Sequence, residues 1–242
     1  MEIRGIAKIH LLAVCLSFPA LGHEGIDTQI QSLNKRVLES PQDYRLYLRR
    51  ADLYRRHKEW NNALKDLERA DKLEPGNYES ALSRAQLELD RNNPEKSLQI
   101  LDDLLQHQPD FIPALFVQGR AYAELNKIPE SADAFTRGIE LLHTPRPDHY
   151  LERAKVLASD PRYIEDAIRS IDDGLVTLNN NISLEQYATE LEINNGRLEP
   201  ALIRVERVLS KNPALPAWLV RKAEILSALG RYDEAVEAYQ AA

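Results

Sequence analysis

The stretch Tyr44–Pro75, YRLYLRRADLYRRHKEWNNALKDLERADKLEP, is the pattern on which the rest of the chain is built. Set over itself with an offset of 34 residues, the sequence aligns Pro41, Pro75 and Pro109 in one column. Arg50-Ala51 then falls over Arg84-Ala85, and Ala63 over Ser97. A fixed period of this length marks an array of small, similar units, each packed only on its neighbours. Within each unit two runs with helical apolar spacing are separated by a short polar turn, so the unit reads as helix-turn-helix.

The 242 residues are 29% charged and 43% apolar with only 9 Gly, a balance that suits an all-helical protein with an ample core. Ahead of the array, Glu24–Gln42 reads as one helix carrying Ile30, Leu33, Val37 and Leu38 and stopped by Ser40-Pro41, a half-unit that caps the array. The units then run over 44–77, 78–111, 112–145, 147–181, 182–215 and 216–242.

In the first unit Tyr47, Ala51, Tyr54, Ala63, Leu67, Ala70 and Pro75 form the pattern; the third gives Leu115, Gly119, Tyr122, Ser131, Phe135 and Gly138 in the same places. The fourth gives Tyr150, Ala154, Leu157, Ala167, Ile171 and Gly174, with one extra residue near Asp160-Pro161. In the second, Glu88 stands where an aromatic is usual. These residues resemble the tetratricopeptide repeat (TPR) family, and the resemblance covers about five-sixths of the chain. It implies an all-α, right-handed superhelical α-solenoid of six helix-turn-helix units, with 23–43 as an N-terminal capping helix. Small residues at the inner positions let paired helices approach closely. Pro94, Pro129 and Pro200 fall in the first turns of second helices, where a missing N–H costs nothing, and Gly196 and Gly230 close first helices where a left-handed residue is wanted.

The resemblance also implies a concave groove lined by first helices. Projected inward, one row reads Leu48, Leu82, Phe116, Leu151, Gln186 and Val220, and the next Asp52, Gln86, Arg120, Lys155, Glu190 and Glu224. An apolar stripe beside polar residues of changing sign suits an amphipathic helix or an extended peptide. Arg45, Arg49, Arg55 and Arg56 make the first end basic, Arg120 and Lys155 continue that, and Glu190 and Glu224 make the far end acidic. Co-chaperones of this family that grip C-terminal carboxylates carry Asn where Asp52, Gln86 and Arg120 stand, which argues against such a clamp here.

Met1–Gly22 has the positive start, short apolar middle and small-residue exit of a secretory signal, with cleavage expected after Gly22. Its apolar run is too short to span a bilayer. The formal charge of −7 argues against a nucleic-acid partner. The single cysteine, Cys15, lies in the leader, so a processed chain carries no disulfide and no thiol chemistry. His57, His107, His143 and His149 are scattered among helix ends and connections, and no catalytic or phosphate-binding motif is present. Cleavage would leave His23 at the N-terminus, where amine and imidazole together can chelate copper; neither that role nor catalysis is expected, and no cofactor is.

The expectation is therefore an exported scaffold, periplasmic or secreted, that holds a protein or peptide partner through Arg45, Leu48, Arg49, Asp52, Arg56, Leu82, Gln86, Phe116, Arg120, Leu151 and Lys155. The alternative is a module of a larger or self-associating assembly, docking through an uncapped last unit at Tyr239–Ala242.

Overall fold

A computed structural model describes residues 21–179 and 181–242, and among them every regular element is helical. The leader lies outside the described residues apart from its last two, and so does Cys15. The chain divides into two compact units, the first ending at Pro75 and the second running from Gly76 to Ala242.

The first unit contains α1 (Leu21–Glu39), α2 (Tyr44–Arg56) and α3 (Trp60–Leu73). Helix α1 ends three residues before the expected Gln42, because Pro41 disfavours a helical Ser40. It buries Ile30, Leu33 and Val37, but Leu38 is 82% exposed, one residue further round the helix than the packed stripe. Asp43 caps α2 by accepting from the Arg45 N–H at 3.0 Å. Ala51, Ala63 and Ala70 are fully buried between α2 and α3, and Leu67 fills the space beside them. Arg50 clasps Asp66 through Nε at 2.7 Å and Nη2 at 2.6 Å, and reaches Asn34 on α1 at 2.8 Å. One side chain thus fastens all three helices.

The second unit contains five helix pairs: α4 (Tyr78–Asp90) with α5 (Pro94–His107), α6 (Ile112–Glu124) with α7 (Ile128–Glu140), α8 (Pro147–Leu157) with α9 (Ile164–Thr177), α10 (Ile182–Asn194) with α11 (Leu198–Lys211), and α12 (Pro216–Ala228) with α13 (Tyr232–Gln240). Each second helix also packs on the first helix of the next pair, and α4 touches α6 as α8 touches α10. That is the connectivity of an α-solenoid. Buried Leu101, Phe135 and Ile171 each contribute roughly 1.5–3 kcal/mol of hydrophobic stabilisation. Glu88, at the aromatic position, is buried with its carboxylate accepting from Arg91 Nη1 at 3.1 Å and Asn93 Nδ2 at 2.9 Å.

The turn inside each pair explains the one irregular period. Lys58, Asn92, Asn126, Gly196 and Gly230 occupy equivalent places, all with φ between 55° and 78°. Pro161 falls at that place in the fourth unit, and its ring forbids positive φ. There the chain instead makes a 3₁₀ turn, Pro161–Tyr163, capped by Asp160, whose Oδ1 accepts from the Arg162 N–H at 2.9 Å. The extra residue is what this detour requires.

Candidate functional site

The expected inward rows separate into buried and accessible members. On α2, Leu48 is only 8% exposed and belongs to the core of the first unit. Asp52 holds Arg55 at 2.7 Å and Arg56 at 4.0 Å, so the expected basic end is partly neutralised on its own helix. Arg45 lies over the Tyr44 ring at 4.8 Å, and Arg49 is exposed. Arg45, Arg49 and Arg56 are exposed on the surface of the first unit, while Leu48 is covered.

In the second unit the same rows meet in a trough. Gln86 of α4, Phe116 and Arg120 of α6, and Leu151 and Lys155 of α8 line a recess of about 570 Å³. Leu82 stays half-buried in the neighbouring core beside Leu101 and Leu115. Spacing by one repeat places these residues on consecutive first helices, and the contact of α4 with α6 brings Gln86 to the rim. Phe116 is itself 8% exposed, because its ring packs on Phe135 at 5.9 Å and against Gly138. Only part of it therefore forms the apolar wall, together with Pro113, Val117 and Leu151.

Four charged or ionisable wall residues escaped the sequence reading: Arg146, Asp148, His149 and Glu152. Arg120 and Glu152, from α6 and α8, form a two-pronged pair at 2.9 and 3.0 Å. Among the described residues, Arg146 and Lys155 have no ion-pair partner, and both are exposed. With Arg120 they give the trough three cations against Asp148 and Glu152, in a chain whose net charge is negative. His149 packs against Phe116 with ring centroids 4.9 Å apart and the ring planes tilted by 39°. Its Nδ1 accepts from the Arg146 backbone N–H at 3.1 Å, and the His149 backbone N–H donates to the Arg146 carbonyl at 3.1 Å. This closure of the α8 N-terminus spans three residues as a capping box does, but Arg146 contributes only its backbone, so no residue-type signal in the sequence announces it. Burial, then the charge of Arg146, push the imidazole below the usual histidine range, with Arg120 adding to the effect and Glu152 and Asp148 opposing it. The neutral ring thus carries its proton on Nε2.

A second recess, about 520 Å³ between α9 and α11, is lined by Val176, Ile203, Arg204 and Arg207. Its cations are already committed. Arg204 binds Asp172 at 2.7 and 3.0 Å and Glu192 at 3.0 Å, and Arg207 binds Glu185 at 2.9 and 2.7 Å. The recess between α6 and α8 is therefore the better candidate, since it offers Arg146 and Lys155, which no described residue pairs.

Among the described residues no three His, Cys, Asp or Glu side chains converge to hold a metal ion, and no helix is long and apolar enough to cross a membrane. Models of the tetratricopeptide repeat match residues 54–116 and 190–242. No curated protein matches the chain. Among solved structures, the C-terminal part of a TPR repeat-containing protein from Cytophaga hutchinsonii superposes with a TM-score of 0.66 at 13% identity, over 91% of this chain and 90% of that one. A tetratricopeptide repeat protein from Parabacteroides merdae gives 0.56 at 18% identity, over 90% and 86%. YrrB, a TPR protein with an unusual peptide-binding site, gives 0.51 at 16% identity, over 72% and 89%. At these identities the likeness is one of fold.

Proposed function

This chain is a tetratricopeptide repeat protein, and from that premise we propose that it is an exported, non-enzymatic scaffold that holds a peptide segment of a partner protein in the α6–α8 trough. The family serves protein interaction, and YrrB, which shares the fold, has a peptide-binding site. The observation that carries the reading is the trough itself: an apolar floor of Phe116, Val117 and Leu151 beside Arg146 and Lys155, two cations with no ion-pair partner among the described residues. Such a surface offers one pocket for a side chain and charges that fix a segment beside it.

The leader pattern of Met1–Gly22 supports export to the periplasm or beyond, and the partner we propose belongs to an envelope-assembly, secretion or cell-wall complex. Intact mass of the native protein tests the leader: a chain beginning at His23 in the periplasmic fraction supports export, and an unprocessed cytoplasmic chain defeats it. Partner capture from a periplasmic extract tests the trough. Lys155→Glu and Arg146→Glu alter exposed residues and leave the fold intact, so loss of the captured partner in both supports the site. Retention by both places binding elsewhere. Leu48 and Phe116 are unsuitable probes, because a charge at either tests folding before binding.

A further inference from the structure

Building on the trough reading, we infer that His149 determines its specificity: it reads a carboxylate of an acidic segment docked between α6 and α8, and takes up a proton as that carboxylate arrives. The occupant is a peptide with acidic residues flanking an aliphatic or aromatic one. Charge complementarity selects it. Among the described residues Arg146 and Lys155 stand without an ion-pair partner at the trough, outnumbering the single further carboxylate Asp148; Arg120 is held by Glu152, and the floor is apolar.

The position of His149 makes it the sensor. Its ring forms part of the wall, packed at a tilt against Phe116, and its Nδ1 is occupied by the Arg146 N–H, so Nε2–H is the donor left for a ligand. The charged groups acting on it are Arg146 at the α8 N-terminus, Asp148 and Glu152 on α8, and Arg120 on α6. In the empty trough a second proton is disfavoured by burial and by the two arginines. It must also take Nδ1 and displace the Arg146 N–H. The cost of that displacement is the same with and without ligand, so the difference between the two states is set by the ligand's charge. A carboxylate beside the ring stabilises the imidazolium and raises its pKa. The free-state pKa lies below the ordinary histidine value and the bound-state pKa above the free one. Between them, binding withdraws up to one proton from solvent, and affinity rises as pH falls, by at most about tenfold per pH unit. Ligand carboxylates stay ionised throughout this window, their ordinary values being about 4.

The test is fluorescence anisotropy of the full chain at pH 8, 7 and 6 and fixed ionic strength. The probe is a labelled hexapeptide with a Leu-Phe pair flanked by two acidic residues on each side. The expected result is affinity rising as pH falls from 8 to 6, by at most about tenfold per pH unit, a rise absent in His149→Gln, which keeps a neutral donor. Lys155→Gln should weaken binding equally at every pH and leave the slope unchanged. The same slope in His149→Gln overturns the proton linkage and leaves peptide docking standing. No binding at any pH, or equal binding of the counterpart with every acid replaced by its amide, overturns acidic-segment recognition. In that case, continued partner loss in Lys155→Glu would show that the trough still docks a segment of other chemistry. An oligothymidylate of equal charge binding as tightly would show a general polyanion site and overturn the peptide assignment.

Discussion

Gly174 of α9 faces the ring of Tyr150 of α8 with no room for a side chain: a Cβ at residue 174 would stand 2.7 Å from the Tyr150 Cγ. The same Cβ would meet a Leu184 methyl of α10 at 2.9 Å, so one missing methyl group sets how closely three helices pack. Tyr150 and Leu184 are buried in one cluster and cannot step aside. Gly174→Ala should therefore cost about 1–3 kcal/mol by urea unfolding. Gly25→Ala is the control, since nothing lies within 4 Å of its added methyl and an alanine favours helix α1. Equal stability of Gly174→Ala and the native chain would refute the close packing.

The α2–α3 turn carries an avoidable strain. Lys58 holds φ at 62°, in the place that glycine fills at Gly196 and Gly230. A β-carbon there costs roughly 1–2 kcal/mol. Lys58→Gly should raise stability by up to about 1 kcal/mol, after the entropy that glycine adds to the unfolded chain. Gly196→Ala should lose a similar amount. Thermal unfolding of the two variants checks both signs, and a fall in melting temperature for Lys58→Gly would contradict the account.

Arg204 neutralises carboxylates from two other helices: Asp172 of α9, and buried Glu185 and Glu192 of α10. Arg204→Met leaves Glu192 with no cation in direct contact and should cost about 3–5 kcal/mol. Arg204→Lys should recover only part, because a point ammonium cannot satisfy Asp172 and Glu192 at once. Arg169→Met breaks an exposed pair with Asp166 and should cost less than about 1 kcal/mol. Urea unfolding that gave Arg204→Met and Arg169→Met equal effects would show that the cluster is not coupled.

Burial pushes the Glu192 carboxyl above its ordinary value, although Arg204 pulls it down. The native state therefore binds this proton more tightly than the unfolded chain does. Its contribution to stability is present at low pH and is lost as pH rises above about 4, the ordinary glutamate value. Glu192→Gln removes the titration and keeps an oxygen for Arg204 Nε. Its melting temperature relative to the native chain should move upward between about pH 4 and pH 7. A gap that stays constant or closes over that range would reverse the assigned direction.

The amino-acid sequence by itself determined the repeat, its phase and its turns. A period of 34 residues recurs because every unit must offer the same small residues to its neighbours, and these choices are local: Ala51, Ala85 and Gly119 can be read one column at a time. The left-handed turn at Gly196 and the insertion near Pro161 were legible for the same reason, since φ is a property of single residues. Which inward residues are accessible was decided only by the tertiary structure. Leu48 and Leu151 occupy the same row, yet the first is covered within its unit and the second lines the trough. Arg204, Glu185 and Glu192 look like ordinary helix-surface charges until α9, α10 and α11 enclose them. His149 joined the site through a cap on α8 and a ring on α6, two partners that no single period relates. A repeat pattern specifies the contacts that every unit shares, whereas charge pairing and exposure depend on residues that differ between neighbours and meet only after the helices pack.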